Sequence, residues 1–260
     1  MLQATEIREL LALAEASAGQ AGRMLRANQH NWNSTEIEVG RDVKVTGDRE
    51  AERIIANLLS SASGLAVFGE ESGLMGDASS PLVWVVDPLD GTANYQRNLP
   101  LCCVSIALCD GDSPILGAIF DFNSNEMFGG INAPSVDVVE ASLNGSTMRV
   151  SKVETTSKAV LATGFPVAAN LDGDSLRHYV GAVQSFRKVR SLGSAALMLA
   201  YVAAGRMDAY WERSVRFWDV AAGVALVGAA GGRTLMRSEG DDLSRTLDLH
   251  AWNGVFDFGA

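Results

Sequence analysis

One stretch constrains this chain more than any other. Val83 to Val86 is a short, unbroken run of apolar, mostly β-branched residues, and it ends in Asp87-Pro88-Leu89-Asp90-Gly91-Thr92. A run of that length without alternation reads as a strand buried on both faces, which belongs inside a covered sheet. Pro88 has no ladder N–H to give and is expected to stop the strand. Two carboxylates pinned at a buried strand end repel each other unless a cation or a proton lies between them. A hard divalent ion such as Mg²⁺ suits such a pair. Asp-Pro and Asp-Gly are also ordinary turn pairs, so this run alone reads equally well as a strand and a tight turn.

Two further segments change that balance. Gly69-Glu70-Glu71-Ser72-Gly73 places two acids after the apolar Leu65 to Phe68, and Phe217-Trp218-Asp219-Val220 places one at the start of an alanine-rich helix. Alone, Glu70 reads as a solvated loop acid and Asp219 as a helix N-cap.

Periodicity sets the surroundings. Residues 4–27 carry an amphipathic helix, and Glu50 to Leu59 a second, with Asp48 as its expected N-cap. Asn28 to Val45 is polar and reads as irregular. Strands are expected near 65–69 and 82–87. Leu101 to Leu108, Ile115 to Phe120 and Glu126 to Ile131 form an expected antiparallel meander, followed by a short strand at Thr147 to Val150. Ser135 to Asn144 has no clear pattern. In the second half, strands at 159–163, 187–189, 207–211, 233–236 and 251–256 alternate with helices at 175–183, 194–204 and 219–230. Alternation of this kind predicts layered sheets covered by helices.

Glu70-Glu71, the run from Asp87 to Thr92 and Trp218-Asp219 resemble, in order and spacing, the three signature motifs of the inositol monophosphatase family: Mg²⁺-dependent, Li⁺-sensitive phosphatases of small metabolites. The likeness spans nearly the whole chain. It implies the layered α-β-α-β-α sandwich, of mixed α/β (α+β) class, over residues 1–260 as one domain with closely joined lobes near 1–150 and 151–260. It also implies a homodimer.

The resemblance assigns roles residue by residue. Glu70, Asp87, Asp90, Asp219 and the Leu89 carbonyl are the expected ligands of two or three Mg²⁺ ions, with Mn²⁺ as a substitute and Li⁺ inhibitory. Thr92 and Asp48 form the expected pair that activates water with Glu70. Asp90, Gly91, Thr92, Asp219, the Ala195 backbone and Glu212 are expected to meet substrate, and Glu212 favours a polyol or sugar phosphate. Gly91 and Thr92 open a short helix whose amides can cradle phosphate. Arg190 to Ala196 also resembles a substrate-contacting segment, whereas Thr35 to Asp42 departs from the lysine-bearing metal loop of inositol enzymes. Histidinol phosphate, fructose bisphosphate and a 3′-phosphonucleotide remain alternative substrates, and a catalytically silent regulatory protein remains an alternative function.

Composition excludes other classes. Among 260 residues the net charge is −10, and no basic run suggests nucleic acid as partner. Positive charge for an anionic substrate must then be supplied locally: by metal, with Lys44 and Arg216 as candidate helpers. Cys102, Cys103 and Cys109 lack CxxC spacing and read as buried reduced thiols, which fits a cytoplasmic protein. No stretch is apolar enough for a membrane span or shaped like a signal peptide. His30, His178 and His250 read as surface residues. No GxSxG elbow or cysteine-phosphatase motif is present.

Overall fold

The computed structural model describes residues 2–39, 42–77, 79–164, 173–238, 240 and 242–258. In chain order they form α1 (Ala4–Trp32), β1 (Thr35–Val39), β2 (Asp42–Val45), α2 (Thr46–Ser63), β3 (Ala66–Gly69), β4 (Gly73–Met75), β5 (Leu82–Asp90), α3 (Thr92–Gln96), β6 (Cys103–Asp110), β7 (Ser113–Asp121), β8 (Glu126–Ala133), β9 (Val138–Leu143) and β10 (Ser146–Thr147). They continue with β11 (Val160–Thr163), α4 (Gly173–Gln184), β12 (Lys188–Arg190), α5 (Ala195–Ala203), β13 (Ala209–Arg216), α6 (Phe217–Ala229), β14 (Arg233–Ser238) and β15 (Thr246–Trp252).

An eight-stranded sheet runs β10-β9-β8-β7-β6-β5-β3-β4, and a five-stranded sheet runs β12-β11-β13-β15-β14. The expected meander is present as β6, β7 and β8. Side-chain alternation shows what covers each face. Along β6, Val104, Ile106 and Leu108 enter the core built with α1 and α2, while Cys103, Ala107 and Cys109 enter the core built with α5 and α6. In the small sheet Ala162 and Tyr210 face α5 and α6, and Leu161, Ala209 and Trp211 face the other way, toward Tyr179, Ala182 and Val183 of α4. The order of layers is therefore α1/α2, large sheet, α5/α6, small sheet, α4, the sandwich that the resemblance implied. The middle layer packs closely: a Cβ on Gly117 of β7 would overlap the Ala222 carbonyl of α6.

Several local expectations change. Asn28 to Val45 is not irregular: α1 continues to Trp32, and Thr35–Val39 pairs antiparallel with Asp42–Val45. Ser135 to Asn144 contains β9, and the strand expected at Thr147 to Val150 is the shorter β10. The closing strand is Thr246–Trp252, not 251–256, and its strict alternation of Leu247, Leu249 and Ala251 was the readable signal. All three cysteines are buried and free, as expected. His250 is not a surface residue: it stands half-buried against Trp211 and Phe258, at ring distances of 5.8 and 5.0 Å. His30 is exposed, and the His178 side chain lies outside the described residues. No described helix is long and apolar enough to cross a membrane.

Candidate active site

β5 runs on through Pro88 to Asp90, past the point where proline was expected to end it. Asp87 pairs with Ser105 and Asp90 with Cys103, so three steps on β5 match two on β6. Pro88 lies in the resulting bulge, where no ladder N–H is required. In a regular strand, residues three apart point to opposite faces. The inserted residue restores parity, and Asp87 and Asp90 both line one cleft of about 420 Å³.

Other elements bring their acids to the same cleft. Glu70 follows the end of β3, where its N–H donates to the Val86 carbonyl at 3.1 Å. Asp219 enters from the first turn of α6, and Leu89, Gly91 and Thr92 complete the floor. Asp219 is not the N-cap: Arg216 is, and the carboxylate of Asp219 accepts the Arg216 amide three residues back. Asp48 repeats this arrangement. Helix α2 begins at Thr46 rather than near Glu50, and Asp48 reaches back to the Val45 N–H at 2.6 Å. Its other oxygen lies 3.1 Å from Thr92 Oγ1, which is also 3.0 Å from the Leu89 carbonyl. One hydroxyl proton serves one of these acceptors at a time.

Asp90 is held by a partner that the sequence motifs did not announce. Its Oδ2 accepts Ser194 Oγ and the Ala196 N–H, each at 2.6 Å, and its Oδ1 accepts the Ala195 N–H at 3.3 Å. Ser194 is in turn the N-cap of α5. The large sheet's carboxylate thus caps a helix of the middle layer. Asn94 makes a second such tie, donating to the Leu101 and Leu192 carbonyls at 2.7 Å.

Electrostatics shows how near the acids are to one another. Burial, then Glu70, Asp90 and Asp219, push the Asp87 carboxyl well above its usual range. Burial, then Asp90 and Glu70, do the same to Asp219. Burial raises Asp90 to about 6 against the opposing bonds from Ser194, Ala196 and Ala195. Asp48 is pushed up to about 7, chiefly by burial. The acids nevertheless face the cleft without closing on one another: among the described residues no three carboxylate, histidine or cysteine side chains form a ready ion cage.

Lys44 and Arg216 line the mouth. Lys44 pairs with Glu71 at 2.7 Å, and Arg216 stands over the Trp218 ring at 5.4 Å. Ala195 and Glu212 do not line the cleft. The Ala195 amide is turned to Asp90, and Glu212 accepts the Tyr210 hydroxyl at 2.8 Å. Glu212 is close enough to Asp90 for that charge to raise its pKa, after the larger effect of burial. Gly193, from the segment expected to meet substrate, does line the cleft. Of the divergent segment Thr35 to Asp42, residues 40 and 41 lie outside the described residues.

With this layering and this cleft the protein takes its place among the phosphate monoester hydrolases, and comparison with known proteins says which. The profile of the inositol monophosphatase family matches residues 6–256, and the chain belongs to that family. It is 35% identical over 233 residues to an inositol-1-monophosphatase of Caulobacter vibrioides, covering 83% of this chain and 89% of the relative. It is 41% identical over 205 residues to a Nus factor SuhB of Xylella fastidiosa, covering 78% and 70%. The solved structure of an inositol monophosphatase from Anabaena (Nostoc) sp. PCC 7120 superimposes with a TM-score of 0.80 at 31% identity, over 96% of this chain and 92% of that one.

Proposed function

We propose that the protein hydrolyses a small phosphate monoester with Mg²⁺, the substrate class being inositol monophosphate or a related polyol or sugar phosphate. The observation that carries this reading is the cleft itself: neighbouring acids from β5, α6 and the β3 turn add to burial in raising the pKa of Asp87 and Asp219 there, beside the Thr92–Asp48 pair. The donor set is all oxygen and fits a hard cation, whose charge would relieve that repulsion. Glu70, Asp87, Asp90, Asp219 and the Leu89 carbonyl would hold the metal. When bound, it would contribute positive charge toward phosphate and a lowered pKa for attacking water.

The chain's own groups account for the remaining steps. If the Leu89 carbonyl faced a metal, the Thr92 hydroxyl would donate to Asp48 alone, and its oxygen would take a proton from water as its own proton passes to the Asp48 carboxylate. Glu70 takes the other side of that water. The first-turn amides of Gly91, Thr92 and Ala93 have no intrahelical acceptor and receive phosphate oxygens. Asp90 is kept in one orientation by the start of α5. No covalent phosphoenzyme is needed. We place the enzyme in the cytoplasm, as a homodimer.

A second reading, a binding protein that acts without turnover, is favoured by the relatives called Nus factor SuhB. Phosphate release from inositol phosphate, histidinol phosphate, fructose bisphosphate and a 3′-phosphonucleotide, with Mg²⁺ and with added Li⁺, separates the two. Mg²⁺-dependent release suppressed by Li⁺ supports the phosphatase. A folded protein inert toward every ester supports the binding role.

A further inference from the structure

We propose that Glu52 is a positioning residue that sets the place of Glu70 in the cleft; this rests on the phosphatase reading above. Glu52 lies on α2, facing inward, and is 2% exposed. A carboxylate is costly to bury and persists where it accepts strong hydrogen bonds. Glu52 Oε2 accepts the Glu71 N–H at 2.8 Å. Its carboxylate also fills the space beside Gly69, where any Cβ would overlap it. The peptide carrying Glu70 is therefore held from two sides: the Glu70 N–H by the Val86 carbonyl of β5, and the next N–H by Glu52. The Lys44–Glu71 ion pair adds a third point on the same turn.

This arrangement gives Glu52 a role that its place on an apolar helix face does not suggest. It sits one turn of α2 beyond Asp48, so one helix presents both the carboxylate that pairs with Thr92 and the carboxylate that fixes the Glu70 turn. A shift of α2 would move both sides of the attacking water together. Gly69 is required by the same contact rather than by backbone conformation.

The test compares Glu52→Leu, Glu52→Gln and Gly69→Ala in the full chain. The readouts are kcat, KM, the Mg²⁺ concentration for half-maximal rate, and the rise in Tm that Mg²⁺ produces. Glu52→Leu keeps the helix face filled but removes the acceptor. It should raise the Mg²⁺ requirement about tenfold or more and shrink the Mg²⁺-induced Tm rise, as loss of an outer-shell partner does. Gly69→Ala should act in the same direction from the strand side, and decides the matter if Glu52→Leu does not fold. Glu52→Gln retains an acceptor oxygen and should stay within about threefold of the parent, which separates positioning from charge. A folded Glu52→Leu or Gly69→Ala protein with the parent's Mg²⁺ dependence overturns the inference, as does a Glu52→Gln protein as impaired as Glu52→Leu. A parent protein with neither Mg²⁺-dependent turnover nor Mg²⁺-induced stabilisation overturns the phosphatase reading, and Glu52's role with it.

Discussion

Replacing Asp48 by Asn should make the metal-free protein more stable at alkaline pH while disabling the reaction. Asp48 is 2% exposed, and burial outweighs the bonds from Val45 and Thr92 and the charge of Lys44. Its carboxyl is raised from 3.8 to about 7, so the fold favours the neutral acid. The sign follows: the stabilising contribution is complete below about pH 4 and is lost as pH rises through about 7. A shift of roughly three units corresponds to a loss of up to about 4 kcal/mol across that window. That is a large share of the ~5–15 kcal/mol stability of an ordinary domain. Asparagine keeps an oxygen for the Val45 N–H and carries no charge, so the variant should lose much less stability between pH 5 and pH 8. The assay is urea unfolding in chelator at both pH values, for parent and variant. Phosphate release with Mg²⁺ is measured in parallel. The parent's rate should rise with pH toward about 7, where Asp48 becomes able to accept the Thr92 proton, and Asp48→Asn should reduce kcat by roughly 10²-fold or more. Equal pH dependence of stability in the two proteins would refute the assignment of that titration to Asp48.

Gly91→Ala should destabilise the fold by about 2–4 kcal/mol, read by thermal unfolding, because φ is +92° and a Cβ would sit 2.8 Å from the Leu101 carbonyl oxygen and 3.2 Å from Cys102 Cα. Asp219→Asn should leave the metal-free protein at least as stable at pH 8, since it removes a half-buried charge from among Asp90, Glu70 and Glu212, yet abolish stabilisation by Mg²⁺; calorimetric titration and Tm shift check both parts. Ser194→Ala should cost about 1–2 kcal/mol in urea unfolding, because it leaves Asp90 without a 2.6 Å donor and α5 without its cap. Glu212→Gln should raise KM most for polyol phosphates in a substrate panel, and uniform values across the panel would remove the polyol preference.

Much of the molecule could be read from the chain. The buried run Val83 to Val86, the amphipathic repeat of residues 4–27 and the meander from Leu101 to Ile131 depend on local pattern, and pattern survives folding. Glu70, Asp87, Asp90 and Asp219 stand out in the chain as acids at the ends of apolar segments, the resemblance singles them out together with Thr92, and the structure brings all five to one cleft. Residues whose partners lie far away in sequence gave no such signal. Ser194 is separated from Asp90 by more than a hundred positions, and Glu52 is one acid among several charged residues in the first half of α2. Each shows its purpose only when its partner is in contact.

The motif around Pro88 divides the two kinds of information. The order of residues gives a buried apolar run followed by two carboxylates with a proline between them, and it predicts a strand that stops at Pro88. Read by strand periodicity, those carboxylates would face opposite sides. The pairing of β5 with β6 decides otherwise, because the bulge at Pro88 inserts one residue and turns both acids into one cleft. The same division holds for Asp48 and Asp219. The chain marks both as acids near the starts of helices, but their places three residues inside those helices, reaching back to Val45 and Arg216, depend on where each helix starts. Strand parity and helix start are set by register and packing across the whole molecule, to which a local stretch of sequence contributes only one side.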